Sequence, residues 1–429
     1  MLIIRFMVNI GLLIAMISVV TTPVAAQEIP ACEQSVVIVS GDSLSGLATR
    51  HLGSSAAYGE IVAATNARAA VDESYSLISN PALISVGWRI CIPAAGATIP
   101  VVPTTRPQTG VTPTLTPTPA PTTVPLDPDA PNPLQIEVMR KETYPGSELV
   151  IQQTLDPGVN YSRFIVSYQS EGNKNFALLT VPQGETPSTG WPAIVFNHGY
   201  IRPEQYRTTE RYVAYVDGFA RNGYIVLRPD YRGHGFSEGE ASGGYGSPAY
   251  TNDVLNAVAS IKAYVATDPD RIGMWGHSMG GHITLRSMVV TDDIKAGVIW
   301  AGVVASYPDL LYNWHRSNRY RVPSSVPSRA RRWRDDFLAA YGTPEENPEF
   351  WASISPITYV ADLSGPIQLH HGTNDSSVPP EFSTSLYDEI EVAGGEVENY
   401  VYAGDDHNLA INFGTAMARS VAFFDSHLK

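Results

Sequence analysis

The sequence predicts an α/β chain built on a mainly parallel, doubly wound sheet, and three observations carry that prediction. Short apolar runs recur along the second half, each followed by a turn-rich loop and then a helix-like stretch. Gly276-His277-Ser278-Met279-Gly280-Gly281 stands between the apolar run 271–275 and the helix-like stretch 282–288. A carboxylate and a histidine, Asp375 and His407, then come in that order, each just after another strand-like run.

The segment around Ser278 has the layout of a nucleophile elbow. A nucleophile on a tight strand-to-helix turn needs small residues two places to either side, because Cβ atoms there would collide with the turn. Gly276 and Gly280 meet that need. The alternative is a glycine-rich turn that merely contains a serine, and the residues downstream decide between the two. The run 366–370 leads into the turn-rich loop 371–379 with Asp375 at its tip, and the run 397–402 leads into 403–408 with His407. Ser278, Asp375 and His407 thus appear as nucleophile, acid and general base in the chain order of an α/β-hydrolase. Acyl transfer also needs donors for the developing oxyanion. The N–H of Met279, directly after the serine, is one candidate. The other is the N–H of Tyr200, in His198-Gly199-Tyr200 after the run 192–197, with the Tyr200 hydroxyl beside it.

With these residues in place, the chain resembles the prolyl oligopeptidase family of serine peptidases. The family signature is met by Asp253, Ala257 and Ile261 at steps of four, then Gly276, Ser278, Gly280 and Gly281 at the expected gap, followed by His282 and Ile283. His282 departs, being polar where the family prefers an apolar residue. Asp230-Tyr231-Arg232-Gly233 and the H-G-x-x-D-x-x-V-P pattern around Asp375 also resemble the family. The resemblance covers about residues 175–429 and implies peptide hydrolysis. Larger members carry a β-propeller ahead of the catalytic domain, whereas here only 134–190 precede the hydrolase core. Strand-like runs at 148–154, 161–169 and 175–181 predict an antiparallel extension of the sheet edge instead. Compact relatives with such an extension include carboxylesterases, acyl esterases of plant polysaccharide and dienelactone-hydrolase-like enzymes, so an ester substrate stays open beside a peptide.

Residues 306–357 interrupt the core and are expected to form a lid. They hold Trp314, Trp333, Phe337, Phe350 and Trp351 with Arg316, Arg319, Arg321, Arg329, Arg331, Arg332 and Arg334. Two readings are open: aromatic and arginine faces that grip a substrate, or a helical pair with a solvated basic face. Glu345 and Glu346 are candidates for holding a peptide amino terminus, or members of a solvated turn.

The N-terminal part predicts the setting. Residues 1–26 have Arg5 near the start, an apolar stretch from about 10 to 20, and Val24-Ala25-Ala26 before Gln27, the pattern of a cleaved signal peptide. The competing reading is an uncleaved anchor, but the stretch is shorter than the ~20 residues of a membrane span, so cleavage is favoured and no span is expected after it. The two cysteines, Cys32 and Cys91, read as one disulfide in an exported chain. Between them, residues 36–48 and 80–93 resemble a LysM domain over 32–94, a βααβ module that binds N-acetylglucosamine-containing glycans such as peptidoglycan or chitin. An apparent insertion at 67–77 puts its second helix in question. Residues 95–133 carry 11 Pro and 10 Thr and read as a linker, semi-stiff at ~3.1 Å per residue. The hydrolase domain is expected over 134–429.

Net charge is −14 with 16% charged residues, which argues against nucleic acid and anionic membrane partners. His198, His234, His370 and His371 lack an organised ligand spacing, so no metal is expected, and the chemistry needs no cofactor. The sequence therefore predicts a secreted or wall-associated serine hydrolase. Its expected activity is that of a peptidase, with a carboxylesterase and a non-catalytic wall-binding protein as alternatives.

Overall fold

The computed structural model describes residues 32–38, 44–54, 57–72, 74–76, 78, 88–94, 130–314 and 329–429. The expected signal segment, most of the expected linker and residues 315–328 of the expected lid lie outside them. The chain forms two compact units, 1–120 and 121–429.

In the first unit the element order is β1 (Cys32–Val37), α1 (Leu44–Leu52), α2 (Tyr58–Ala69) and β2 (Arg89–Pro93). β1 and β2 pair antiparallel, with Val36 opposite Ile90 and Val37 opposite Arg89, and Cys32 and Cys91 form a disulfide. Ile38, Leu47, Ile61, Ile90 and Ile92 build its core. The second helix questioned by the sequence is present. Asn66, near its end, closes the next segment by donating to and accepting from the backbone of Ile78 at 2.9 and 2.7 Å.

The second unit is organised by a sheet of nine described strands. β3 (Val150–Leu155), β4 (Tyr161–Ser170) and β5 (Asn173–Pro182) are antiparallel, and β5 joins β7 (Ile225–Pro229) antiparallel. β6 (Trp191–Asn197), β7, β8 (Thr267–His277), β9 (Ala296–Trp300), β10 (Ile367–Gly372) and β11 (Val397–Tyr402) are parallel, giving the order β11-β10-β9-β8-β6-β7-β5-β4-β3. This is the α/β-hydrolase architecture expected, and the stretch before the core is the antiparallel edge extension its strand pattern indicated.

Alternation along the central strands places side chains on two faces, so helices are needed on both. Ala193, Val195, Ile225, Leu227, Ile272 and Met274 point to one face. There α5 (Ala249–Lys262) and α6 (Met279–Val290) cover them with Val254, Ile261, Ile283 and Leu285, α10 (Glu381–Ala393) adds Leu386 and Ile390, and a short α3 (Ile136–Met139) precedes the sheet. Ile194, Phe196, Val226 and Trp275 point to the other, under Phe219 of α4 (Val213–Ala220) and Phe424 of α11 (Phe413–Leu428). Each such large apolar side chain contributes about 1.5–3 kcal/mol when fully buried. Parallel strands with helices on both faces leave the loops at their carboxyl ends to form a crevice. His198-Gly199-Tyr200, Ser278, Asp375 and His407 all lie on those loops, after β6, β8, β10 and β11.

Candidate active site

Ser278 stands between β8 and α6, at the N-cap of the helix, with φ 56° and ψ −118°, a conformation that costs a non-glycine residue about 1–3 kcal/mol. Three backbone hydrogen bonds hold it. Its N–H donates to Trp300 at 3.0 Å, and its carbonyl accepts from Gly281 and Val303 at 3.0 and 3.1 Å. A Cβ on Gly276 would fall on the Gly280 carbonyl and Thr284 Oγ1, and one on Gly280 would fall on the Asn197 carbonyl. β6, the turn and α6 can meet here because neither position has a side chain.

Asp375 has a fully buried side chain and its two oxygens are saturated. Oδ1 accepts the N–H groups of Ser377 and Val378 at 2.7 and 3.0 Å. Oδ2 accepts from His407 Nδ1 at 2.6 Å and from His371 Nε2 at 3.0 Å. Burial raises the pKa of this carboxyl, but the hydrogen bonds from His371 and His407 outweigh it and hold it well below the ordinary range. His407 is thereby fixed with Nδ1 committed to Asp375 and Nε2 left for the serine side. Asp405 shapes the same loop by accepting the backbone N–H groups of Ile411 and Asn412 at 3.0 and 2.9 Å.

Ser278, His407 and Tyr200 share a cavity of about 330 Å³, also lined by Tyr212, His277 and Arg211. Among the described residues no hydrogen bond joins Ser278 to His407, and the two meet as walls of this cavity. Tyr200 is half-exposed and comes after Gly199, whose Cα lies so close to the elbow that a Cβ would sit 2.8 Å from the Tyr212 hydroxyl and 3.2 Å from Ser278 Cβ. Met279 is the first residue of α6, where the backbone N–H has no intrahelical acceptor.

Two residues that the sequence did not single out tie these loops together. Burial pushes the Tyr212 phenol up to about 12, so it keeps its proton at neutral pH. It accepts the Gly199 N–H at 2.9 Å and donates to His277 Nδ1 at 2.8 Å. Burial, then the neighbouring His407, lower His277 to about 3. Its neutral ring donates from Nε2 to the His407 carbonyl at 2.9 Å. Arg211 and Tyr212 both have positive φ, 55° and 50°, a strained pair that leaves no composition signal.

The residues matched by a model of the prolyl oligopeptidase family are 211–429, just over half of the chain. The chain belongs to the prolyl oligopeptidase family. Among its relatives, the uncharacterized peptidase YuxL of Bacillus subtilis is 25% identical over 61% of this chain and 35% of that one. The uncharacterized peptidase YtmA of the same organism is 22% identical over 58% of this chain and 88% of that one. The chain thus spans about a third of YuxL and most of YtmA. Among solved structures, an acetyl xylan esterase from Paenibacillus sp. R4 matches with TM-score 0.51 at 17% identity, over 68% of this chain and 92% of that one. The acylaminoacyl peptidase of Pyrococcus horikoshii matches with TM-score 0.50 at 22%, over 63% and 42%. Both likenesses concern the fold.

This prolyl oligopeptidase-family chain gives its signature residues physical roles. Asp253 is buried on α5 and takes Arg232 through Nε at 3.0 Å and through a terminal nitrogen at 2.7 Å, and also accepts from Ser170 at 2.7 Å. Tyr231 donates to the His198 carbonyl at 3.0 Å, and Asp230 accepts from Tyr206 and Thr208 at 2.8 and 2.5 Å. Asp230-Tyr231-Arg232 thus supports the loop before Tyr200 and the segment leading to Tyr212. His282, the polar departure, is buried, and burial and then Arg286 hold it well below its ordinary pKa. As a neutral ring it bonds the Val303 carbonyl at 3.1 Å and packs edge-on to Tyr245.

The lid expectation needs correction for its aromatics. Trp333, Phe337, Phe350 and Trp351 are buried in the core beneath α7 (Tyr307–Tyr312), α8 (Arg329–Tyr341) and α9 (Pro348–Ser353), so they are not available to grip a substrate. Arg334 lies over the Trp333 ring at 4.9 Å and donates to the Leu310 carbonyl at 3.0 Å. Trp314 donates to the Ser377 carbonyl at 2.8 Å, touching the Asp375 loop. Glu345 and Glu346 take local partners, the Tyr312 hydroxyl and the Thr343 N–H. Arg316, Arg319 and Arg321 lie outside the described residues, as do the side chains of Arg329, Arg331 and Arg332. Of the histidines weighed as metal ligands, His371 serves Asp375, while His198, His234 and His370 bond oxygen atoms of the protein. Among the described residues no three His, Cys, Asp or Glu side chains converge as a metal site would require.

Proposed function

We propose that this chain is a serine hydrolase of peptidase type that works through an acyl-enzyme. The observation that carries the reading is the saturated Asp375–His407 pair beside a strained Ser278 on one cavity. His407 takes the Ser278 proton, Ser278 Oγ attacks the substrate carbonyl, and Asp375 orients the imidazole and stabilises its charged form. The N–H groups of Met279 and Tyr200 receive the oxyanion. The proton then passes from His407 to the leaving group, and water repeats the sequence in reverse to free the enzyme. A carboxylesterase is the second reading, favoured by the extension β3–β5, which is an edge of the sheet and not a separate substrate-screening body. Comparison of kcat/KM on matched anilides and esters, each beside Ser278→Ala, tests both. Loss of all turnover in the alanine variant is expected, and normal turnover would remove Ser278 from its role.

The same proposal places the enzyme outside the cytoplasm, with residues 1–26 as a signal peptide and the disulfide-bonded βααβ unit as a LysM module holding wall glycan. Among the described residues no helix is long and apolar enough to cross a membrane. Tethering would raise local concentration without changing the chemistry. Ser278→Ala should still sediment with insoluble peptidoglycan or chitin, and deletion of 27–93 should abolish sedimentation while sparing turnover. Equal sedimentation of the two proteins would remove the module from its role.

A further inference from the structure

We propose that Arg211 is a specificity residue that selects substrates carrying a carboxylate close to the scissile bond. The inference rests on the reading of Ser278 and His407 as the reacting pair and names a substrate class for that site. Arg211 lines the same cavity as these two residues, and no Asp or Glu is among the lining residues. The chain has 42 Asp and Glu against 28 Lys and Arg, yet not every cation holds a carboxylate: Arg228 and Arg286 spend their donors on backbone carbonyls instead. Arg140, Arg221, Arg232 and Arg271 each hold a carboxylate partner. The Arg211 guanidinium, by contrast, makes no ion pair or side-chain hydrogen bond among the described residues.

Its backbone is built into place. Arg211 holds φ 55° and the next residue, Tyr212, φ 50°, a conformation most side chains avoid. The carbonyl of Arg211 accepts a 2.7 Å hydrogen bond from Arg228, which is 1% exposed on β7 and also donates to the Thr208 carbonyl. A buried cation therefore fixes the backbone of the cavity cation, and the Tyr212 hydroxyl anchors the next residue to Gly199 and His277. A guanidinium presents paired N–H donors that match the two oxygens of a carboxylate, and such charge-assisted forks are roughly twice as strong as neutral hydrogen bonds. A carboxylate is the anion that peptides carry at acidic side chains and at the C-terminus, and that an ester substrate carries only where a second, free acid group stands beside the ester.

The experiment uses the full chain and two matched substrate pairs, N-succinyl- against N-succinamoyl-alanine and acetyl-alanine 4-carboxyanilide against its 4-carbamoyl analogue. The first pair is prepared both as nitroanilides and as nitrophenyl esters. The wild type should prefer the acid in at least one pair by about tenfold in kcat/KM, and the preference should shrink as salt screens the charges. Arg211→Gln should bring the ratio to about one, and Arg211→Glu should invert it. A wild-type ratio near one in both pairs, or an acid preference retained in Arg211→Gln, overturns the proposal while leaving Ser278-dependent turnover intact. Absence of all wild-type turnover would count against the hydrolase reading separately. Calorimetric titration of N-succinyl-alanine into wild type and Arg211→Gln then decides for Arg211, with equal affinity or no binding overturning the assignment.

Discussion

The Tyr212 hydroxyl lies 2.8 Å from Nδ1 of His277, and through that contact the loop carrying Tyr200 is coupled to the loop carrying His407. Gly199 N–H, Tyr212 O–H and His277 Nε2–H donate in sequence, ending on the His407 carbonyl. One neutral chain of hydrogen bonds thus links the loop carrying Tyr200, a proposed oxyanion donor, to the loop carrying His407, the proposed general base, on either side of Ser278.

Tyr212→Phe should leave the Gly199 N–H without its acceptor, a loss of about 1–3 kcal/mol for a buried donor. The expected result is a fall of about tenfold or more in kcat with a smaller change in KM, because the donors matter most in the transition state. Steady-state kinetics read this, and an unchanged kcat would show that the relay does not position the loop.

Asp375→Asn keeps the shape of the acid but loses its charge, and one amide N–H would face a ring N–H. A fall of up to about 10⁴ in kcat is expected, the size seen for this change in a serine protease triad. The wild-type carboxyl is depressed in the folded state, so its contribution to stability is full above the unfolded pKa of ~3.9 and is lost as pH falls below it. Urea midpoints from pH 5 downward should therefore decline less steeply in Asp375→Asn.

His198, His277, His282 and His370 are buried with lowered pKa values, burial being the first cause at each, and His277 and His370 reach about 3. Between about pH 6.5 and 3 the unfolded chain binds protons these rings refuse, so stability falls as pH falls, by up to ~1.4 kcal/mol per pH unit for each ring. Asp230, raised by burial to about 6, works in the opposite sense over part of that range. Replacing His282 with Leu, an apolar residue of the kind the family prefers there, should flatten the slope of unfolding free energy against pH. An unchanged slope would mean His282 titrates normally.

Asp253→Ala would leave Arg232, which is only 13% exposed at its side chain, with Glu171 as its remaining carboxylate partner, and should destabilise by at most about 3–5 kcal/mol. The double variant Asp253→Leu with Arg232→Met should recover much of that loss in chemical denaturation. Failure to recover would place the Asp253 effect in its Ser170 contact instead.

Much of this site was legible in the chain. Gly276 and Gly280 announced the turn because close backbone approach is a steric demand that sequence records directly. The order Ser278, Asp375, His407 was legible because each comes after a run of strand-forming residues. Tyr212 and Arg211 were not, since a left-handed pair in Glu210-Arg211-Tyr212 has none of the Gly, Asn or Asp that usually mark it. What holds that pair is Arg228, 17 residues further on, a tertiary contact that local pattern does not encode. His371 stood inside a noted motif, yet its bond to Asp375 depends on how β10 ends. The aromatics of 306–357 misled because composition does not say whether a ring turns toward the cavity or the core.

The three antiparallel strands β3, β4 and β5 have a bearing on handling the protein. All five residues of β7 are buried, and β5 supplies their hydrogen-bonding partner on that side. The outermost strand, β3, is largely solvent-exposed and carries Gln152, Gln153 and Thr154. A chain trimmed to begin after Pro182 would offer an apolar, unpaired ribbon to the solvent, the kind of template on which like molecules stack edge to edge. Solubility of the catalytic unit is therefore set by a segment remote from its chemistry, and any shortened version should start before β3.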